Sequence, residues 1–187
     1  MQITIQGAQG SGKSTVAKLL AEKLKYKHYS AGDFMRQIAA KRGMSLLELS
    51  KIAEKDGGAI DKELDDLVRS VGKKEKDFVL DGRLGFFFIP KSFKIYLTVN
   101  LDEAARRIFG NKRPGETENT TLAKTKANIL RRIKSEHTRY KSYYGVEYPP
   151  KLDGFELVVD TTKLSPIDTV GVILKALKSD SSQKKSL

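Results

Sequence analysis

Apolar and β-branched residues gather in five short runs: Gln2 to Gln6, Lys27 to Ser30, Asp77 to Asp81, Phe93 to Val99 and Phe155 to Asp160. Each has the length of a buried strand. Between the runs, apolar residues recur at helical spacing. Val16, Leu19, Leu20 and Leu24 fall on one face of a helix, as do Val170, Ile173, Leu174 and Leu177, and the second of these helices opens with Ser165, Pro166 and Asp168 as a capping arrangement. Strand and helix in alternation predict a parallel sheet covered on both faces, an α/β three-layer fold.

Two stretches break the alternation. From Gly32 to Lys74 the pattern is that of two or three consecutive amphipathic helices, carrying Leu46, Leu47, Leu49, Ile52 and Ala53, then Ile60, Leu64, Leu67, Val68 and Val71, with Gly57 and Gly58 between them. This predicts a helical insert over about residues 32–74. The segment Gly110 to Thr121, "GNKRPGETENTT", is polar and turn-rich and leads into a long basic helix from about Leu122 to Tyr144; it predicts a short lid over about 110–121. The expected organisation is one domain over residues 1–178, followed by a polar tail at 179–187 whose composition predicts disorder.

Composition narrows the class without choosing a function. A chain of 187 residues with 39% apolar content can bury one substantial core. With no cysteine there are no disulfides, thiolate metal sites or cysteine nucleophiles, and a reducing, cytoplasmic setting is expected. The densest apolar cluster, Phe86 to Ile89, is far too short to span a bilayer, and no targeting segment is expected. The net charge of +12 suits polyanions or small phosphorylated ligands.

The strongest local signal is Gly7-Ala8-Gln9-Gly10-Ser11-Gly12-Lys13-Ser14, followed by Thr15, directly after the first strand and at the opening of an amphipathic helix. This is a complete Walker A pattern in its proper context. Its glycines let backbone N–H groups converge on phosphate oxygens, the helix N-terminus adds positive potential, Lys13 neutralises β and γ phosphates, and Ser14 can ligate Mg2+. ATP and Mg2+ are therefore the expected donor and ion. A GTPase would need an N-K-x-D guanine-reading motif, but Asn111-Lys112 continues with Arg113-Pro114. A compact kinase acting on a small acceptor fits the length.

Such an enzyme must bring two anions together, which requires cations around them. Arg36 stands one helical turn beyond Gly32, Arg83 lies just past Asp81 at the end of the third strand, and Arg107, Arg132 and Arg139 come from the lid side. Arg132 and Arg139 are seven residues apart on one helix and share a face.

The chain resembles the nucleoside monophosphate kinases, and most closely the archaeal-type cytidylate kinases. The resemblance runs from Met1 to about Lys178 and is carried by "ITIQGAQGSGKSTVAKLLAEKL", "YSAGDFMRQIAAKRGMSLLEL", "AIDKELDD", "FVLDGRLG", "ILRRIKSEHTRYKSYYG" and "FELVVDTTKLSPIDTV". It implies a P-loop fold with a five-stranded parallel sheet, a helical monophosphate-binding insert and a lid. It implies that Arg36 and Arg83 grip the acceptor phosphate, that Arg132 and Arg139 close over both substrates, and that Glu136 helps to hold the monophosphate nucleoside. Asp81 resembles the carboxylate that orients Mg2+-bound water. Ser30 and Asp33, in the "SAGD" stretch, are further candidates on the acceptor side. Family members often carry an arginine soon after the helix that follows the fourth strand; here either Lys112 or Arg113 takes that place.

CMP is the expected acceptor, with dCMP or UMP weaker. Asp61 and Asp65 share a helix face in the insert and Glu136 and Arg139 share one on the long helix, so carboxylate and arginine together can read a cytosine edge. The alternatives are an adenylate kinase, a hydroxyl kinase of the shikimate or gluconate type with Asp33 as base, and, from another class, a nucleic-acid-binding NTPase using the basic helix. A monomer acting on small molecules, with no membrane or nucleic-acid partner, is the expectation.

Overall fold

The computed structural model describes residues 1–44, 46–53, 55–111 and 119–183. Its centre is a five-stranded sheet of β1 (Gln2–Gly7), β2 (Lys27–Ser30), β3 (Phe78–Asp81), β4 (Phe93–Thr98) and β5 (Leu157–Asp160). The order is β2-β3-β1-β4-β5 and every pairing is parallel. The register aligns Ile5 with both Asp81 and Ile95, so the C-terminal ends of β1, β3 and β4 reach one edge of the sheet together. That edge, where the strand order reverses about β1, is where ligands bind in open α/β sheets.

Helices cover both faces because strand residues alternate. Ile3 and Ile5 point to one side, into a cluster with Val16, Ala17 and Leu20 of α1 (Lys13–Leu24) and Val170, Ile173 and Leu177 of α8 (Pro166–Gln183). Both isoleucines are fully buried, and truncating either to alanine is expected to cost about 2–5 kcal/mol. Phe78 and Leu80 point to the other side, where they meet Val68 and Val71, Phe88, and Tyr140. These come respectively from α4 (Ala59–Lys74), the single turn α5 (Gly85–Phe88) and α7 (Leu122–Tyr144). Phe88 is thus buried against the insert, Phe86 packs on Phe155, and Phe87 stays partly exposed beside Tyr144.

The insert consists of α2 (Ala31–Lys41), α3 (Leu46–Ala53) and α4, with its own small core of Ile38, Ala39, Leu49, Ala53 and Ile60. The remaining helix, α6 (Leu101–Gly110), is capped by the Asn100 side chain and packs on Ile129 of α7. One boundary needs correcting. α8 runs on to Gln183, so the polar stretch beginning at Ser179 continues the helix instead of leaving it, with Ser179 Oγ bonded to Lys175 O at 3.2 Å. A polar sequence extends a helix readily where it faces solvent; residues 184–187 lie outside the described part.

Candidate active site

The loop between β1 and α1 is shaped by close approach. A Cβ on Gly7 would lie 2.2 Å from the Leu97 carbonyl oxygen of β4, and one on Gly10 would lie 2.7 Å from the Ala104 Cα of α6, where Gly10 also takes a left-handed φ of +78°. Only glycine fits either place. Ala8 N–H donates to Leu97 O at 3.0 Å, which ties the loop to the sheet. Lys13 Nζ donates to Ala8 O at 2.8 Å, folded back on its own loop. Burial, reinforced by the nearby Arg83 charge, holds the Lys13 ammonium well below its usual range, so a counter-anion is what this lysine lacks. Gln9 Nε2 and Ser11 Oγ are buried there without hydrogen-bond partners. Thr15 is exposed just inside α1.

From outside, Arg107 of α6 clamps this loop. Its guanidinium donates to Gly10 O at 3.4 Å, Thr161 O at 2.7 Å and Thr162 O at 3.4 Å, and its Nε donates to Glu103 at 2.7 Å. It thereby joins the glycine-rich loop to the turn after β5. Beside that turn is an open cleft lined by Thr98, Asn100, Asp160, Thr162 and Lys163. The sequence pattern marked Arg107 but not these turn residues, because their meeting in one cleft depends on β5 lying next to β4.

Asp81, at the end of β3, is buried and gathers three donors. Ser14 Oγ donates to its Oδ2 at 2.7 Å, Ser30 Oγ to the same oxygen at 3.2 Å, and His28 Nε2 lies 2.7 Å from Oδ1. The sequence reading brought Ser14, Ser30 and Asp81 forward but missed His28. The available signal was the i, i+2 relation of His28 to Ser30, which puts both on one face of β2, but it becomes meaningful only once β2 is known to pair with β3.

A second cleft opens between α4, the turn after β3 and α7, lined among others by Asp61, Asp65, Arg83, Tyr140 and Tyr144. Arg83 sits between this cleft and the glycine-rich loop: Nη1 donates to Gly7 O at 3.3 Å and to Tyr148 Oη at 3.1 Å, while Nη2 pairs with Glu136 at 3.0 Å. Burial works against its charge, and Glu136 with the Tyr148 and Tyr140 hydroxyls more than offsets it, so the guanidinium is locked in its charged form. Arg132 Nε reaches the same Glu136 oxygen at 3.3 Å from a mostly exposed position. Arg139 Nη1 lies 3.6 Å from Asp61 Oδ2.

Asp61 and Asp65 are 6% and 8% exposed, so they are not a solubilising helix face. Burial raises both carboxyls, Asp65 to about 6, against the opposing hydrogen bond that it accepts from Tyr144 Oη. Asp61 Oδ2, Glu136 Oε2 and Arg139 Nε are buried without hydrogen-bond partners. Groups of this kind are costly unless something arrives to pair with them.

Arg36 is paired with Asp33 in an exposed contact on α2. Lys112 and Arg113, with the central part of the expected lid, lie outside the described residues.

A glycine-rich loop opening α1 beside a buried, strand-terminal carboxylate, on a sheet of order 2-3-1-4-5, defines a P-loop phosphotransferase. A family model described as an AAA domain matches residues 6–143. The chain is 38% identical over 181 residues to the cytidylate kinase of Haloarcula marismortui, covering 96% of this chain and 90% of that one. It is 35% identical to the cytidylate kinase of Sulfurisphaera tokodaii, covering 94% of each. The chain belongs to the cytidylate kinase family. Among solved structures, shikimate kinase from Bacteroides thetaiotaomicron superposes with a TM-score of 0.68 over 95% of this chain and 98% of that one, at 15% identity, a likeness of fold alone.

Proposed function

We propose that the protein transfers the γ-phosphoryl group of ATP to CMP, giving ADP and CDP, with dCMP and UMP as weaker acceptors. Within the family reading, the observation that carries the choice of acceptor is the cleft between α4 and α7. There a buried acceptor, Asp61 Oδ2, and a buried donor, Arg139 Nε, belong to one long ion pair yet have no hydrogen-bond partner. Cytosine presents an amino donor beside ring acceptors, the complement of that pair. An adenylate kinase would have to seat a larger purine in the same cleft.

The acceptor phosphate is already ionised at neutral pH, so transfer needs positioning and charge neutralisation more than a general base. Lys13 would leave Ala8 O for the donor's β and γ oxygens. Arg83, next to Gly7 O and facing the acceptor cleft, would hold the attacking phosphate in line, and Arg132 and Arg139 would spread over the group in transfer. Arg36 would leave Asp33 and join the acceptor phosphate as the insert closes. The donor's base would occupy the cleft beside Thr162 and Lys163, against Arg107.

Ser14 and Asp81 supply the hard oxygen chemistry that suits Mg2+. Among the described residues no cluster of three or more His, Cys, Asp or Glu side chains forms a closed metal cage, which fits an ion held largely by nucleotide phosphates. When bound, Mg2+ would neutralise charge on the donor's β and γ oxygens.

The family reading favours a phosphate acceptor over the hydroxyl-kinase alternative with Asp33 as base. No described helix is long and apolar enough to cross a membrane, and the cysteine-free composition supports a cytoplasmic setting. The test is 31P NMR of the purified protein with ATP and Mg2+, given CMP, shikimate or gluconate in parallel samples: resonances of CDP alongside ADP are expected with CMP, and a monophosphate ester formed from shikimate or gluconate with no CDP formed from CMP would contradict the proposal.

A further inference from the structure

Asp81 is 3% exposed and accepts from three side chains, each oxygen with its own set. Oδ2 takes the Ser14 and Ser30 hydroxyls; Oδ1 takes His28 Nε2 at 2.7 Å, its sole side-chain donor among the described residues. The sheet dictates this arrangement. Ser30 pairs in register with Asp81 and His28 with Val79, so alternation turns His28 and Ser30 toward the α1 face, where Ser14 opens the helix. Tyr29, between them, turns to the opposite face and packs on Phe78.

The bond to Oδ1 fixes more than one distance. A carboxylate rotates about its Cβ–Cγ bond, and two hydroxyls on one oxygen leave the plane of the group poorly defined. A third donor on the other oxygen sets that plane and keeps Oδ2 aimed at Ser14. The Ser14 hydroxyl can give its proton to Oδ2 while its lone pairs face the donor site, so the direction of Oδ2 determines where those lone pairs point. His28 is a quarter exposed and joins the edge strand β2, at the border of the insert, to the centre of the donor site.

We infer that His28 is a positioning residue for the donor site, holding the Asp81 carboxylate, and through it the Ser14 hydroxyl, in the orientation that receives the divalent ion of the ATP complex. The inference rests on the reading of Ser14 and Asp81 as the Mg2+–ATP site. It also separates His28 from a structural pin between β2 and β3, which would affect stability and leave ion binding alone.

Two amide substitutions test it. Gln places its Nε2 near the reach of the histidine Nε2, whereas the shorter Asn does not reach Oδ1. The measurement is Mn2+ affinity for the enzyme–ATP complex by EPR without acceptor, together with the melting temperature and KM for CMP. His28→Asn is expected to weaken Mn2+ binding by about tenfold, the lower end for residues that orient metal-binding groups. His28→Gln is expected to stay within about threefold of the parent, with KM for CMP unchanged in both. In an Asp81→Asn background, His28→Asn should add less than about twofold, because the group it acts through is altered. Mn2+ affinity unchanged in His28→Asn, or a full additional loss in the Asp81→Asn background, overturns the role given to His28. If Asp81→Asn itself leaves Mn2+ affinity untouched, the reading of the ion site fails and the inference falls with it.

Discussion

Arg83 Nη2 and Glu136 Oε1 lie 3.0 Å apart, joining the turn after β3 to the middle of α7. The bond ties the helix that borders the cleft beside α4 to a cation that also touches the glycine-rich loop through Gly7 O. Both side chains are largely buried, so neither charge is readily replaced by water. Removing Glu136 strands Arg83, and Glu136→Ala is expected to lower the free energy of unfolding by about 3 kcal/mol in urea titration. Arg83→Ala, which removes the cation itself, should raise KM for CMP and lower kcat by about a hundredfold while ATP affinity stays nearly unchanged. A rise confined to the KM for ATP would move Arg83 to the donor site.

Lys13 Nζ is bonded to Ala8 O within its own loop. Lys13→Ala is expected to keep the melting temperature within a few degrees and to reduce kcat by at least about a hundredfold. A variant retaining more than about a tenth of the parent rate would detach the loop from phosphoryl transfer.

The pair of buried carboxyls on α4 gives a pH signature. Asp65 titrates at about 6 in the fold against 3.8 in a free chain, raised by burial. A raised carboxyl contributes stability that is full below about 4 and is lost as pH climbs through about 6, so at pH 8 ionised Asp65 is a net cost. Discounted for water in the cleft, the shift corresponds to about 1–2 kcal/mol. Asp65→Asn, which can still accept from Tyr144, should therefore be more stable than the parent at pH 8 by about that amount, with the difference shrinking below pH 6. A gain independent of pH would contradict this assignment.

The strands, the helical insert and the long helix α7 were legible because each rests on local pattern: buried β-branched runs, amphipathic spacing, and glycines at breaks. β2 is found over the residues expected of it, Lys27–Ser30, and α7 over Leu122–Tyr144. The strand order was not legible, because it follows from which strands pair across long separations. What depends on that order was hidden as well: the His28–Asp81 bond and the cleft beside Thr162. The Tyr144–Asp65 contact needs α7 folded back over α4, which no periodicity encodes. α8 overran its expected end because a polar segment without glycine or proline carries no stop signal.

Asp61, whose Oδ2 has the Arg139 ion pair but no hydrogen bond, tests base reading on its own. Asp61→Asn turns part of an acceptor into a donor and should raise KM for CMP by about tenfold or more, with KM for ATP unchanged within about twofold. Steady-state kinetics at saturating ATP give the comparison. An equal rise in both Michaelis constants would place Asp61 outside the acceptor site.

The claim at the centre is that the cleft between α4 and α7 receives a pyrimidine monophosphate, and that cytosine best fits the donor and acceptor left without hydrogen bonds there. Initial rates with ATP and Mg2+ against CMP, dCMP, UMP, AMP and GMP measure it directly. The expected result is a kcat/KM for CMP at least about tenfold above that for AMP or GMP, with dCMP and UMP between. A kcat/KM for AMP equal to or above that for CMP would contradict the account.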